Sequence, residues 1–440
     1  MGKYDKFFAL AKEAGLEQVE LYISESRNLS ISLFHGEVDN YSDNKGYSIV
    51  ARGILKGKMG SAACDVWNND KAAWLVKEIV SNATVIENDD PVFIFKGSEK
   101  YKKVSTFNKD LEEVTPEEKM AKLRALEKAV KEGDPRIIEV AATEYNQVFE
   151  KFTLMNSNGL NLVQKSNYFY ALAQCVAKEG EQTKSGYDMY FGNNFAAFVP
   201  EQLAKKIVAK TIEQLGGEAC ESKKYKAVLH PDVVTSLIKA YIGHASSEEV
   251  QKNSSLFIGK VGQQIASKKV TIEDRPLDKN VFARWFDDEG VATYNKPIVK
   301  NGVLQGYLYN LTTAAKAGVQ TTGNGYGAAK KGVAATFVCL KPGKKSLDEL
   351  FAKVGDGVYI TDVSGLHAGL NPQSGNFSLQ STGFMIENGK KGKPLDLITV
   401  SGNLLDIFKD VLEVGNDVTV SPMGVSAQSI LIKKIAVGGK

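Results

Sequence analysis

The sequence predicts an α+β protein, in which an N-terminal α/β region of mixed strands and helices precedes a strand-rich C-terminal domain. Runs of strand-like alternation dominate the chain, with only occasional helical patterns between them. The 440 residues exceed what one ordinary hydrophobic core needs. After a linker-like stretch at 218–224 the composition shifts toward Gly, Asn and short strands. We therefore expect three domains, at residues 1–105, 106–222 and 223–440.

The first domain begins with an amphipathic pattern that ends at Gly15 and is typical of a helix rather than of a signal peptide. Four runs with period-2 spacing follow, and Asp43-Asn44 is interpreted as a turn between two of them. These strand-like runs lie at 19–24, 29–34, 46–53 and 58–64. A helix is expected at about 70–83, with Asp70 as its N-cap. Its predicted buried face comprises Trp74, Leu75, Ile79 and Val80.

The middle domain contains a strong helix start signal. Thr115-Pro116-Glu117-Glu118 matches a capping box with proline at the first helical position, and Met120, Leu123, Leu126 and Val130 form the expected buried stripe. A second helix is expected to begin at Pro200. Between these two helices, strand-like runs occur at 136–142, 146–155, 160–164 and 167–177. The pattern indicates helices packed on a meander of strands.

The third domain opens with a strand, YKAVL, followed by a helix that ends at His244. Asp232 is the expected N-cap of this helix. Its predicted buried face comprises Val233, Val234, Leu237, Ile238 and Tyr241. Further helices are expected near 311–317, 346–354 and 403–414.

Charge and cysteine content exclude several classes of protein. The 55 basic and 52 acidic residues leave a net charge of +3, which gives no electrostatic footprint for nucleic acid. No run of about 18 apolar residues exists, so we expect no membrane association through a spanning helix. The four cysteines form no CxxC pair, which favours reduced thiols and a cytoplasmic location. They are Cys64, Cys175, Cys220 and Cys339.

The four histidines allow a complete search for histidine chemistry. His35 and His367 are expected to be surface or turn residues, because nothing near either one completes a site. His230 and His244 flank the helix of the third domain. A zinc peptidase site needs three protein ligands and a base, but no HExxH pair is present. A lone His244 at a helix C-terminus favours a structural role, in which the helix dipole stabilises the protonated ring.

Other signature patterns are weak or missing. The glycine-rich segment 323–327 does not match GxGxxG and follows no clear strand, so it predicts a tight turn rather than a phosphate site. Neither GxSxG nor GxxxxGK[ST] occurs in the chain, and hydrolase and P-loop interpretations therefore lack support.

Several long segments of the sequence, however, occur together in a known family and in the same order. They are DDEGVATYNKPIVKNGVLQGYLYN (287–310), TTGNG (321–325), SGNFSLQSTGFMIENGK (374–390), VSGNLLDIFKDVLEVGND (400–417) and, in the first domain, LFHGEVDNYSDNKGYSIVARGILKGKMGSAACD. The chain resembles the TldD/PmbA family, also called the modulator of DNA gyrase family. The resemblance extends from about residue 18 to the end of the chain.

The resemblance also implies a branch within that family. TldD chains carry a HExxxH zinc motif and a C-terminal cysteine ligand, whereas PmbA/TldE chains lack them. Carried over, the motif places its first histidine on Lys239, its glutamate on Ala240 and its last histidine on His244, while the cysteine region at 421–428 contains no cysteine. We therefore expect a PmbA/TldE-like chain with no catalytic residue, no bound metal and no cofactor, His244 being only the remnant of a ligand.

The partner implied by this resemblance is a TldD-like subunit that carries the zinc and acts with this chain on unfolded proteins or peptides, including precursors of peptide antibiotics. The chain could form a homodimer when it is alone. Two alternatives stay open at the level of sequence. One is a stand-alone metallopeptidase that uses His230, His244 and a carboxylate from elsewhere. The other is a regulatory protein that binds gyrase or DNA.

Overall fold

The computed structural model describes residues 2–440, and the chain is α+β as predicted. The N-terminal half contains six strands: β1 (Gln18–Phe34), β2 (Glu37–Leu55), β3 (Lys58–Cys64), β4 (Ile137–Asn156), β5 (Asn161–Glu179) and β6 (Gln182–Gly192). It also contains five helices: α1 (Asp5–Glu13), α2 (Asn69–Thr84), α3 (Lys109–Glu113), α4 (Pro116–Lys131) and α5 (Pro200–Ile212). A 3₁₀ turn at Phe195–Ala197 precedes α5.

These six strands form a single antiparallel sheet in the order β3-β2-β1-β4-β5-β6. Because β1 pairs with β4, the sheet runs across the boundary predicted near residue 105. Helices α1, α2, α4 and α5 pack against one face of the sheet. On the other face, Tyr22 and Leu154 pack against Trp285 and Phe286 of the C-terminal half. The N-terminal sheet therefore lies between a layer of helices on one face and the C-terminal half on the other.

The strands are longer than their sequence patterns predict. The turn predicted at Asp43-Asn44 is wrong, because both residues lie inside β2 and pair with β1. The chain reverses instead at His35-Gly36, where both residues have positive φ angles of 53° and 80°. The run predicted at 136–142 continues into the next as β4. Pairing with neighbours on both sides carries the strand through positions where the apolar alternation lapses.

The first two helix predictions differ in detail. Helix α2 forms where it is predicted, but Asn68 and not Asp70 is its N-cap, and it accepts a hydrogen bond from the Lys71 amide at 2.8 Å. Trp74 is 39% exposed, so its predicted burial is wrong. In α4 the capping box is confirmed, with the Thr115 hydroxyl accepting from the Glu118 amide and the Glu118 carboxylate accepting from the Thr115 amide.

The C-terminal half contains many short elements. Its strands are β7 (Lys223–Leu229), β8 (Ile272–Asp274), β9 (Lys296–Lys300), β10 (Val303–Leu304), β11 (Gly325–Tyr326), β12 (Gly332–Val333), β13 (Val338–Leu340), β14 (Gly357–Ser364), β15 (Asn376–Glu387), β16 (Lys390–Asn403), β17 (Val411–Val414), β18 (Thr419–Ser421), β19 (Val425–Ala427) and β20 (Ile430–Gly438). Its helices are α6 (Pro231–Gly243), α7 (Ser247–Gln251), α8 (Leu311–Ala317), α9 (Leu347–Val354), α10 (Leu366–Gly369) and α11 (Leu404–Lys409).

Two larger sheets organise these elements. One has the order β10-β9-β8-β13-β19-β18, and the other has the order β16-β15-β14-β7-β20-β17. In the second sheet β16 also pairs with β20, so β7, β14, β15, β16 and β20 close into a barrel. Helix α6 contacts strands of both sheets and lies between them. In residues 2–440 no helix is long and apolar enough to cross a membrane.

The helix predicted at 403–414 is shorter than expected. Helix α11 ends at Lys409, and the residues from Val411 onward form β17 instead. Val411 pairs with Ile432 of β20, so the backbone of this segment is satisfied by the sheet rather than by another helical turn. Leu404 and Phe408 are buried in α11 and Val411 is buried in the edge strand β17, so one apolar pattern covers a helix followed by a strand.

Candidate functional site

Helix α6 begins at a proline and is capped by a histidine. Pro231 occupies the first helical position, where a missing N–H costs nothing. Nδ1 of His230 accepts a hydrogen bond from the Asp232 amide at 3.1 Å, so His230, and not the predicted Asp232, is the N-cap. Because Nδ1 is the acceptor, the proton of the neutral ring lies on Nε2. Burial lowers the pKa of His230, which favours that neutral ring.

The buried face of α6 is confirmed. All five residues predicted to face the core are buried: Val233, Val234, Leu237, Ile238 and Tyr241. The hydroxyl of Tyr241 donates to the carbonyl of Ile265 at 3.0 Å, which satisfies the one polar atom on this face. With this face fixed, Lys239 is exposed and Ala240 is half-buried.

Lys239 connects α6 to the turn between β18 and β19. Its Nζ donates to the carbonyl oxygen of Met423 at 3.1 Å. The turn is closed by a hydrogen bond from the Gly424 amide to the Ser421 carbonyl, and Gly424 has a φ of 74°. The structure therefore brings together the two segments that the resemblance associates with zinc, the 239–244 stretch and the 421–428 stretch.

The side chains present there do not match a zinc site. A protonated ammonium has no lone pair for a metal, and the methyl group of Ala240 offers neither a ligand nor a base. Lys239 already donates its proton to a backbone carbonyl, as expected of an ammonium. Among residues 2–440 no group of three or more His, Cys, Asp or Glu side chains is placed to hold a metal ion.

His244 lies at the other end of α6 and is only 7% exposed. Its Nδ1 accepts from the Leu256 amide at 3.3 Å, and its carbonyl accepts from the Ser255 hydroxyl at 2.6 Å. The expectation of a protonated ring is wrong, because an acceptor nitrogen belongs to the neutral imidazole and burial lowers the pKa of His244. Desolvation of the ring is the largest cause of this lowered pKa.

His230 and His244 cap opposite ends of the same helix. At 1.5 Å per residue, about 20 Å separates them along the helix axis. They cannot ligate one ion together, so the structure does not assemble the stand-alone site that uses both. His35 and His367 are exposed as predicted, with His35 paired to Glu139 at 3.0 Å and His367 in the short helix α10.

A second cluster, which sequence reasoning did not identify as a site, joins an acidic loop to the glycine-rich segment. We call residues 287–289 the acidic loop. Asp287 accepts from the amides of Glu289 and Val291 at 2.9 Å and from the Gly325 amide at 2.7 Å. Asp288 accepts from the Gly327 amide at 2.7 Å. The glycine-rich segment thus presents backbone N–H groups to carboxylates of its own chain rather than to a phosphate.

Burial controls the protonation of this loop. It raises the pKa of Asp287 to about 6, against the effect of three amide donors. Burial and the neighbouring Asp287 raise the pKa of Glu289 to about 7. Burial acts to raise the pKa of Asp288 as well, but Arg284, whose Nη2 lies 2.6 Å from the carboxylate, together with Lys331 and the Gly327 amide, lowers it overall.

The acidic loop also ties the C-terminal half to the N-terminal sheet. The Tyr22 hydroxyl of β1 donates to Asp288 at 2.8 Å, and the Tyr101 hydroxyl donates to the Gly290 carbonyl at 2.7 Å. The signal in the sequence was three consecutive acids beside Trp285 and Phe286, an apolar setting in which carboxylates need specific partners.

Comparison with known proteins defines the class of this fold. Models of the PmbA/TldA metallopeptidases match the whole architecture: domain 1 at residues 19–83, the central domain at 109–215 and the C-terminal domain at 222–439. The fold is therefore that of a metallopeptidase family. The chain belongs to the PmbA/TldD metallopeptidase family.

Relatives cover nearly the full chain. Metalloprotease PmbA of Escherichia coli O157:H7 is 25% identical over 430 residues, which are 96% of this chain and 92% of the relative. A candidate modulator of a DNA gyrase from Thermotoga maritima has a crystal structure that matches with a TM-score of 0.92 at 32% identity, over 99% of both chains. TldE from Thermococcus kodakarensis shares the fold, with a TM-score of 0.91 at 22% identity over 100% of both chains.

Proposed function

We propose that this chain is the TldE-like subunit of a TldD–TldE zinc peptidase and has no zinc site of its own. The observation that carries the proposal is Lys239, which stands where the family motif has its first histidine and donates to the Met423 carbonyl. An ammonium at position 239 cannot coordinate zinc, and an alanine at position 240 leaves the motif without its general base. His244 alone cannot hold a catalytic zinc ion, which needs three protein ligands.

In this proposal a TldD-like chain supplies the zinc and the catalytic groups. A TldD homolog of Haemophilus influenzae is 26% identical to this chain over 357 residues, which are 75% of this chain and 73% of the homolog. Two chains of the same architecture can pair through equivalent surfaces, so a heterodimer is a natural assembly for them. The same geometry would permit a homodimer when no TldD-like chain is present.

The proposed substrates are unfolded proteins or peptides in the cytoplasm. Strand β18 is an edge of its sheet and lies beside α6. Its surroundings expose Val418, Val420 and Met423, each more than 40% exposed. An extended peptide can pair its backbone with such an edge while apolar side chains contact it. The net charge of +3 favours a peptide over a nucleic acid as the ligand.

The test combines zinc analysis with peptide hydrolysis. This chain, a TldD-like chain from the same organism and their mixture are each incubated with an unfolded peptide, and zinc is measured by mass spectrometry. We expect hydrolysis in the mixture alone, with zinc in the TldD-like chain. Stoichiometric zinc in this chain, or full activity of the TldD-like chain without it, would contradict the proposal.

A further inference from the structure

Strand β2 leaves part of one edge of the N-terminal sheet uncovered. It pairs with β1 from Glu37 to Ile54, whereas β3 on its outer side pairs only with Ile49–Leu55. Residues 37–48 of β2 therefore have no strand on their outer side. Among residues 2–440, no segment other than β1 forms a backbone hydrogen bond with residues 40–48. Alternate residues of an antiparallel strand turn their N–H and C=O groups away from the paired neighbour, so this stretch presents a row of main-chain donors and acceptors to the outside.

The regular part of this stretch is residues 40–48, which we call the β2 edge. It begins after a β-bulge at Asp39, where the register with β1 shifts, and it ends where Ile49 pairs with β3. The β2 edge contains no proline, and its side chains are mostly exposed. Prolines, bulges and covering segments are common means by which a protein blocks the addition of a strand, and none of them occurs between residues 40 and 48.

A second copy of the chain can add to the β2 edge only in particular registers. A two-fold axis carries each hydrogen-bonded pair of residues onto another such pair, so one residue must lie directly opposite its own copy. With Asp43 or Lys45 at the axis, two like charges face each other, which is unfavourable. With Ser42 at the axis, Lys45 faces Asp39 and the pairing runs into the bulge. With Asn44 at the axis the whole β2 edge pairs, because its two ends lie opposite each other.

The register centred on Asn44 also matches the side chains of the two copies. It places Asp43 opposite Lys45 of the second copy and Tyr41 opposite Tyr47 of the second copy, and the symmetry repeats both contacts. These four residues alternate along β2, so they share one face of the strand. Tyr41 is 47% exposed and Lys45 is exposed, so both are open to a partner. Opposite charges and aromatic rings directly across a strand pair are stabilising, so this register combines the longest regular overlap with complementary contacts.

We propose that two copies of this chain dimerise by joining their β2 edges antiparallel, about a two-fold axis at Asn44. The two six-stranded sheets then form one continuous sheet, in which the outward main-chain groups of each edge bond to those of the other. The inference rests on the homodimer that the proposed function permits, and it assigns the surface of that dimer. Its tests use this chain alone, without zinc or hydrolysis, so their failure is distinguishable from a failure of the peptidase proposal.

The first test reads the register by disulfide cross-linking. In the proposed dimer the Cα atoms of the two copies of Asn44 lie about 5 Å apart, which a disulfide can bridge. The two copies of Ser42 are four residues out of step, about 13 Å apart, which is too far. We therefore expect Asn44→Cys to give a covalent dimer under mild oxidation. Ser42→Cys should remain at the level of the wild type, whose four free cysteines set the background. Failure of Asn44→Cys to cross-link, or equal or stronger cross-linking of Ser42→Cys, would overturn the proposal.

The second test measures the dimer Kd by sedimentation equilibrium. Lys45→Glu places a carboxylate opposite Asp43 of the second copy, so we expect the Kd to rise at least about tenfold. Adding Asp43→Lys to Lys45→Glu restores opposite charges across the interface and should return the Kd close to that of the wild type. Arg27, which pairs with Asp43 in the wild type and lies opposite position 45 in β1, gains the new carboxylate as its partner within the chain.

Lys165→Glu is the matched control, because it makes the same change of charge at an exposed lysine of the inner strand β5 and should leave the Kd unchanged. A wild-type chain that stays monomeric up to about 0.1 mM would overturn the proposal. So would a dimer whose Kd is the same in Lys45→Glu as in the wild type, or a double variant that associates no better than Lys45→Glu alone.

Discussion

Lys239 joins α6 to the β18–β19 turn through one hydrogen bond between exposed groups. The Lys239 ammonium therefore lies between the 239–244 and 421–428 segments, where zinc ligands from both segments would have to meet. If this gap derives from a zinc site, the triple variant Lys239→His, Ala240→Glu and Met423→Cys should bind zinc, with Nε2 of His244 as the third ligand. In the present structure Nδ1 of His244 accepts from the Leu256 amide, so Nε2 carries the proton of the neutral ring. Zinc binding at Nε2 would therefore move that proton to Nδ1 and replace the hydrogen bond from Leu256. Zinc is measured by mass spectrometry after dialysis.

The control for this variant is Ala240→Glu alone, which restores the base but adds no ligand and should bind no zinc. Structural zinc sites in small domains stabilise the folded state, so the triple variant should also show a Tm that rises when zinc is added. A triple variant that folds but retains no zinc would refute the interpretation of His244 as the remnant of a ligand.

Glu289 is the residue with the clearest pH dependence. Its folded pKa of about 7 lies above the value of about 4.3 expected in the unfolded chain. The folded state thus binds the proton more tightly, and the stability that this group contributes is lost as pH rises between those values. Glu289 accepts a hydrogen bond from the Leu311 amide at 2.8 Å. Glu289→Gln keeps an oxygen for this hydrogen bond and removes the negative charge. We expect the variant to be more stable than the wild type at pH 7.5 by about 1–3 kcal/mol.

The measurement is urea unfolding of both proteins at pH 5 and pH 7.5. The difference between them should be small at pH 5, where Glu289 is protonated, and large at pH 7.5. Comparison at each pH cancels the opposite contribution of the buried histidines, whose lowered pKa values reduce stability as pH falls. A difference that does not depend on pH would mean that Glu289 has an ordinary pKa.

At the scale of elements, the sequence predicted best where local chemistry is decisive. The capping box at Thr115 and the buried face of α6 follow from neighbours within one or two turns, and both are confirmed. Strand lengths and the end of α11 depend on pairing with distant strands, such as β17 with β20, which a local pattern does not contain. The predicted N-cap of α6 is wrong because the cap is a histidine, a residue type rarely found there, two positions before the expected aspartate.

The acidic loop shows the same limit for the site. Gly325 donates to Asp287 across 38 residues of sequence, and Tyr22 donates to Asp288 across 266. Each partner appears ordinary in its own stretch of sequence: a glycine-rich turn, a tyrosine in a strand. Only the packing of the C-terminal half against the N-terminal sheet joins them, so the cluster could not be derived from spacing.

The edge strand β18 carries a prediction of its own. Val420 in β18 and Val418, just before the strand, are 43% and 52% exposed. If a peptide pairs with this edge, Val418→Ser with Val420→Ser should raise the KM of the proposed heterodimer several-fold and leave kcat unchanged, because the lost contacts stabilise bound substrate and transition state equally. Val163→Ser, at an exposed valine of β5 in the other half, is the control. An unchanged KM in the double variant would exclude this edge as the peptide site.

At the scale of the whole molecule, the N-terminal sheet and the C-terminal half meet at a small apolar cluster and at the acidic loop. The hydrogen bond from Tyr22 to Asp288 crosses this contact inside the protein, where a bond to a charged group contributes about 2 kcal/mol. Tyr22→Phe should lower the free energy of unfolding by about that amount. Tyr190→Phe removes a hydroxyl that donates only to the nearby Asn194 carbonyl in an exposed setting, and should cost less than about 1 kcal/mol. Urea unfolding of the two variants compares them directly, and equal costs would mean that the acidic loop does not hold the two halves together.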